Sequence, residues 1–91
     1  MMNKMQILKE LKRGNIWNKT YKIAGINIAG VMWDNDSWKV IHENVTFDEI
    51  IKTKVIGKDD YNLDVTERTY KPIAEFYYQR ELADYILKNQ V

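Results

Sequence analysis

Apolar residues recur at helical spacing at the start of the chain. In NKMQILKELKRG, Ile7, Leu8 and Leu11 fall on one face of a helix, Gln6, Lys9, Glu10 and Arg13 fall on the other, and Gly14 stands where a left-handed C-cap is wanted. From Tyr21 the pattern becomes β-branched and small, and Gly25 and Gly30 spoil a helix, so Tyr21 to Val31 reads as a strand. Its apolar positions are odd at Tyr21 and Ile23 but even at Ile26 and Ile28, which predicts a bulge near Gly25. The polar run Asp34 to Ser37 then closes a hairpin loop, with Trp33 facing Trp38, Val31 facing Val40 and Ala29 facing His42.

Thr46 and Glu49 form a T-x-x-E capping box before Phe47, Ile50 and Ile51, which predicts a short helix from about Phe47 to Thr53. A competing reading makes Ile51 to Ile56 a strand that pairs across GKDD with the next segment. In that segment Tyr61, Leu63 and Val65 alternate with Asn62, Asp64 and Thr66, the pattern of a strand with one wet and one buried face. The last stretch, KPIAEFYYQRELADYILKNQ, has Pro72 where a first helical turn accepts it and no later breaker. As a helix it carries Tyr78, Leu82, Ala83, Tyr85, Ile86 and Leu87 on an apolar face and Arg80, Asp84 and Lys88 on the wet one, with Tyr77 among the charges. The expected fold is α+β in the order α-β-β-α-β-α: a small antiparallel sheet of about three strands, an N-terminal helix, a short middle helix and a long C-terminal helix, with the helices mainly on one face.

Ninety-one residues, 45% of them hydrophobic, suffice for one domain, residues 1–91, with one modest core. The absence of cysteine removes disulfides and thiolate metal sites, so packing alone must hold the core. The N-terminal stretch is charged and periodic, unlike a signal peptide, and the least polar run, IAGINIAGVMW, is too short to span a bilayer. The expectation is a soluble, cytoplasmic protein without membrane partners, in which the sequons at Asn18 and Asn44 carry no weight.

Candidate chemistries fail on spacing. Ser37 at a hairpin tip and His42, the chain's one histidine, would lie about 16 Å apart along a strand at ~3.3 Å per residue, too far for a nucleophile and its base. An EF-hand beginning at Asp34 and Asp36 would put its third ligand on Trp38, its glycine on Lys39 and its bidentate glutamate on Val45. The carboxylates Asp59, Asp60, Asp64 and Glu67 offer Mg²⁺ a site only if Asp64 and Glu67 converge, and they point to opposite strand faces. The glycines of AGINIAG have P-loop-like spacing, with Val31 and Met32 where Lys and Ser or Thr are required. No catalytic residue, metal site or cofactor is expected, and the chain reads as a non-enzyme.

Charge is balanced globally, 14 basic against 13 acidic residues, and unevenly distributed. Residues 1–22 hold six basic residues against Glu10 alone, while residues 34–67 hold nine acids against four lysines. Trp17 lies among Lys9, Lys12, Arg13, Lys19 and Lys22, the composition of a surface that pairs phosphates and stacks bases; the plainer alternative is a solvated helix face followed by a core tryptophan. In composition (short, cysteine-free, rich in Lys, Ile and Asn, without catalytic groups) the chain resembles the small accessory proteins of phages and mobile elements from AT-rich hosts. That resemblance implies an inhibitor of the host-takeover or anti-CRISPR kind, which acts by binding a larger host or phage protein. The expected contact residues are then Tyr77, Arg80 and Asp84. A nucleic-acid-binding regulator using the basic segment is the second expectation, and a homodimer is compatible with either.

Overall fold

The parity change after Ile23 marks a turn rather than a bulge. In the computed structural model, which describes residues 1–13, 17–32 and 36–90, β1 (Lys19–Ile23) and β2 (Ile26–Val31) form an antiparallel hairpin with Ile23 opposite Ile26 and Tyr21 opposite Ile28. Ala24 and Gly25 both have positive φ, 50° and 83°, as a two-residue type I′ turn requires. Odd residues of β1 therefore share a face with even residues of β2, which is why the apolar pattern changes phase. One expected strand becomes two.

β3 (Ser37–Val40) pairs with β2 so that Ile28 faces Val40, Ala29 faces Lys39, Gly30 faces Trp38 and Val31 faces Ser37. The expected register, with Val31 on Val40, is corrected by three residues, an odd shift that exchanges the two faces. The observed register puts Trp38 and Val40 on the face of Ile28, which the two long helices cover, and sets Trp38 opposite Gly30. His42 lies beyond the end of β3 and so does not face Ala29. Asp34 and Asn35 of the expected loop, the ladder position of Trp33 and the Gly14 cap lie outside the described residues, while Ser37, expected in the loop, opens β3 opposite Val31.

The C-terminal helix begins later than its pattern suggests. Residues 74–76 form β6 (Ala74–Phe76) along the outer edge of β3, with Lys39 opposite Glu75 and Trp38 opposite Phe76, and α3 spans only Gln79–Asn89. Ala74 and Phe76 point to the core side while Glu75 meets Lys39 on the other. A helix from Pro72 would have left the β3 edge without ladder partners. The sheet order is β1-β2-β3-β6, antiparallel throughout.

On one face, α1 (Lys4–Arg13) and α3 lay Ile7, Leu11, Leu82, Ala83 and Ile86 over Ile23, Ile28 and Val40, all of them buried. Tyr78 and Leu87, assigned to the buried side by periodicity, are exposed. The helices run antiparallel, with Lys4 bridged to Asp84 at 2.7 Å and reciprocal hydrogen bonds of 2.8 Å between Met2 and Gln90. On the opposite face a smaller core of Ala29, Val31, Ile41 and Ile50 packs with Val45, Phe47 and Tyr70 under α2 (Phe47–Ile51), whose N-terminus is closed by the Thr46/Glu49 capping box. The long helices thus share one face and the short one takes the other.

The two readings of residues 47–56 each hold in part: α2 stops at Ile51 and β4 (Thr53–Lys58) comes next, paired with β5 (Asp64–Arg68). These strands make a separate two-stranded sheet. Every residue of β4 is exposed, and so is β5 except for half-buried Arg68. The buried face expected for Tyr61, Leu63 and Val65 is therefore corrected, since no further apolar segment of the described chain is left over to cover it. With extents of 50 × 23 × 19 Å, the molecule is a layered body bearing an arm.

Two measurements check this packing. Leu82→Ala, at a fully buried position, should lower unfolding free energy by about 2 to 5 kcal/mol in urea melts through the cavity it opens. Ala24→Asn should raise it by about 0.5 to 1 kcal/mol, because asparagine tolerates a left-handed backbone better than alanine; a loss of stability would contradict the type I′ assignment.

Candidate functional site

Three places concentrate polar or exposed apolar groups. The first is the side of the sheet turned toward α2, where alternation along β3 points Ser37 and Lys39 away from the long helices. Both are buried: Lys39 Nζ donates to Ser37 Oγ at 3.0 Å and to the Glu75 carboxylate on β6, and Tyr77 Oη donates to the other Glu75 oxygen at 2.7 Å. A serine beside a lysine can form a nucleophile and base pair. Here the lysine ammonium is held by a carboxylate, so it lacks a lone pair to take the serine proton, and Ser37 is wholly enclosed, so no substrate atom could reach it. The cluster acts as a cross-strand tie.

The second is a groove of about 250 Å³ lined by Thr20, Lys22, Asn27, His42 and Asn44, among others. His42 sits on its rim with its backbone N–H donating to Tyr70 Oη at 2.9 Å, its Nδ1 2.6 Å from the same oxygen, and the two rings edge to face. This contact anchors the chain leaving β3 to the segment after β5. Ser37 faces the sheet interior and His42 the solvent, so the two do not meet. Among the described residues no three histidine or carboxylate side chains converge as metal ligands.

The third is the arm. Lys52 and Thr69 close its base, where the Thr69 N–H and hydroxyl both donate to the Lys52 carbonyl. At its tip Asp59 Oδ1 accepts from the backbone N–H groups of Tyr61 and Leu63, both at 2.9 Å, and Asn62 takes a left-handed φ of 62°. That Asx turn uses the Asp59 carboxylate locally, and Asp64 bonds Lys58 across the strands at 2.7 Å. Five large apolar side chains stand in solvent: Val55, Ile56, Tyr61, Leu63 and Val65, with Tyr61 85% and Leu63 63% exposed. A cavity of about 360 Å³ between the arm base and the body is lined by Met32, Phe47, Ile51 and Arg68, among others.

The residues singled out from sequence are distributed differently. Tyr77, 52% exposed, precedes α3 and bonds Glu75; Arg80 lies over the Tyr78 ring at 5.4 Å; Asp84, one turn on, holds Lys4. Arg80 and Asp84 share the outer side of α3, and each already has a partner within the chain. Of the basic set, Lys9 and Lys12 are exposed on α1, while Lys19 and Lys22, three apart in β1, point to opposite faces of the sheet. Trp17 is half-buried with its ring on Trp38, centroids 4.9 Å apart, which leaves it poorly placed to stack a base. The side chain of Arg13 lies outside the described residues.

The arm went unrecognised as a surface because an alternating strand is normally read as half-buried. The signal that identifies it is a surplus: once α1, α2 and α3 cover the four-stranded sheet, the apolar residues of 55–65 have nothing left to pack on. No protein-family model, no curated protein and no solved structure matches the chain. The site is therefore read from its own geometry.

The cross-strand tie has a measurable signature. Glu75→Ala should cost about 3 kcal/mol, the low end for a broken buried pair because Glu75 keeps a third of its side chain in water, whereas Lys39→Met with Glu75→Leu should stay within about 1 kcal/mol of wild type. A double-mutant cycle in urea that finds the two changes additive would show that no such tie exists.

Proposed function

We propose that the chain is a cytoplasmic, non-enzymatic protein-binding module that engages a larger protein through its arm, as an inhibitor of the kind its composition resembles. The observation that carries this reading is the arm itself. The fold needs none of its apolar side chains for the core, yet it holds five of them in water on a ribbon hydrogen-bonded at its base and capped at its tip. Exposed apolar residues grouped on one projection, with a tyrosine at its tip, are what association surfaces use, since an aromatic anchor can be desolvated in a partner's pocket at small entropic cost. Tyr77, just before α3, and Arg80 and Asp84 on it supply a second, polar surface. The nucleic-acid reading takes second place, because Lys19 and Lys22 diverge and Trp17 is engaged with Trp38.

The experiment is affinity capture of partners from host lysate, with and without nuclease, using wild type and a Tyr61→Ala, Leu63→Asp variant. Both positions are exposed, so the variant's stability should lie within about 0.5 kcal/mol of wild type. Capture of a defined protein that survives nuclease and is lost in the variant is the expected result. Capture of nucleic acid alone, falling steeply with ionic strength and abolished by Lys9→Glu with Lys12→Glu, would replace this reading with the second one.

A further inference from the structure

Alternation along β1 and β2 leaves one end of the sheet polar on the side turned toward α2. Tyr21 and Ile23 turn to the long helices, so Thr20 and Lys22 turn the other way, and Asn27 stands directly opposite Lys22 with its Cβ about 5 Å away. The Ile41 N–H donates to the Asn27 carbonyl at 2.9 Å, which brings the chain leaving β3 alongside this end of the hairpin. The chain then turns at Asn44, whose left-handed φ of 64° asparagine tolerates, and half-buried Val45 returns to the smaller core. Both segments line the groove of about 250 Å³.

Its polar side chains are donors. No carboxylate lines the groove, and Glu43, between His42 and Asn44, stays outside it. Thr20 offers a hydroxyl, Lys22 an ammonium, Asn27 and Asn44 amide N–H groups. Among the described residues, none of these four side chains is spent on a hydrogen bond or ion pair within the chain. Lys4, Lys39 and Lys58 each meet a carboxylate; Lys22 does not. His42 adds a fifth donor. Its Nδ1 lies 2.6 Å from Tyr70 Oη, closer than the ~2.7 Å at which N–H···O bonds begin and ordinary for a hydroxyl donor, so Tyr70 gives the proton and the imidazole keeps its own on Nε2. Tyr70 does not line the groove, so the ring edge left for a ligand carries an N–H.

We propose that this groove binds a phosphate group, either free inorganic phosphate or the monoester of a small polar molecule. A phosphate brings three strong acceptor oxygens and a charge of about −1.5 to −2, which several neutral donors and a cation together can satisfy. A carboxylate has only two oxygens and would leave part of the donor set unmatched, while a neutral ligand would leave the Lys22 charge unanswered. The volume sits just below the ~300–1,000 Å³ of pockets for drug-sized ligands, so the phosphate has room beside it for a short polyol. No residue of the arm lines the groove, and the site is independent of the arm as a binding surface.

The test is a heteronuclear NMR titration of the purified chain at fixed ionic strength, replacing chloride with inorganic phosphate or with glycerol phosphate up to about 20 mM, and with acetate as the control anion. Saturable shifts at the amides of Thr20, Lys22, Asn27, His42 and Asn44 are expected, with a dissociation constant of about 1 mM. Lys22→Gln should raise that constant at least about tenfold, and Asn44→Gly, which keeps the left-handed turn, about threefold. Lys19→Gln removes the same charge from the other face of β1 and should leave it within about twofold of wild type. All three positions are exposed, so the fold tolerates the changes. Tighter binding of glycerol phosphate than of the free ion assigns the site to a phosphorylated small molecule, and equal binding assigns it to phosphate itself. Absence of saturable shifts, the same shifts with acetate, or equal weakening by Lys19→Gln and Lys22→Gln overturns the inference.

Discussion

Lys39 is a cation at the centre of a sheet, buried to within a few per cent of its surface, and the arrangement of the main body depends on where its partner can be. An ammonium taken from water must find a carboxylate, and Glu75 is supplied by the three-residue strand β6. The pair fixes β6 against β3 in one register. Slipping by one residue would set Lys39 against Ala74 or Phe76 and leave its charge uncompensated. β6 runs directly into α3, so the same contact determines where Leu82, Ala83 and Ile86 meet the sheet. Two apolar residues of similar volume could hold the strands as strongly; what the ion pair adds is intolerance of alternatives.

Much of the main body was legible in the sequence. α1 and the capping box of α2 came from local rules that tertiary contacts did not override, and the α+β class with antiparallel pairing came from the mix of periods. The rest turned on relations between distant segments. The phase change at Ala24 and Gly25 is equally consistent with a bulge or a turn until a partner strand is present. The register of β2 on β3 depends on which face the long helices cover, information held some forty residues away in α3. Likewise, Ala74 to Phe76 reads as helix by continuity with α3 and becomes strand only because β3 has an edge to fill. For the candidate site, local pattern located Tyr77, Arg80 and Asp84 on or beside α3, while the apolar character of the arm was misread as burial, since alternation says which residues share a face but not whether anything covers it.

The arm also shows how a two-stranded ribbon can be held without a core. Isolated hairpins are marginal in water, and this one buries almost nothing. Its order comes from its ends: the Thr69 and Lys52 closure at the base, beside the half-buried Tyr70 that is fixed to His42, and the Asp59 turn at the tip. Between these two clamps the strands are free of demands from the core, so their side chains can vary with little effect on the stability of the body. A scaffold with that division of labour can change what it binds without changing how it folds.

The contact between α1 and α3 sets the order in which the body assembles. Met2 and Gln90 meet across 88 positions of sequence, whereas the β1–β2 hairpin closes over two residues. Loop-closure entropy makes the nearby pairing fast and the remote one slow, so the meander of β1, β2 and β3 precedes the seating of the first helix. During synthesis Ile7 and Leu11 leave the ribosome well before Leu82 and Ile86, which complete the cluster that they share with Ile23, Ile28 and Val40. Of the two long helices the one made earlier waits for the later one, and until α3 is seated part of its apolar stripe stays open to solvent and to any chaperone that binds apolar segments.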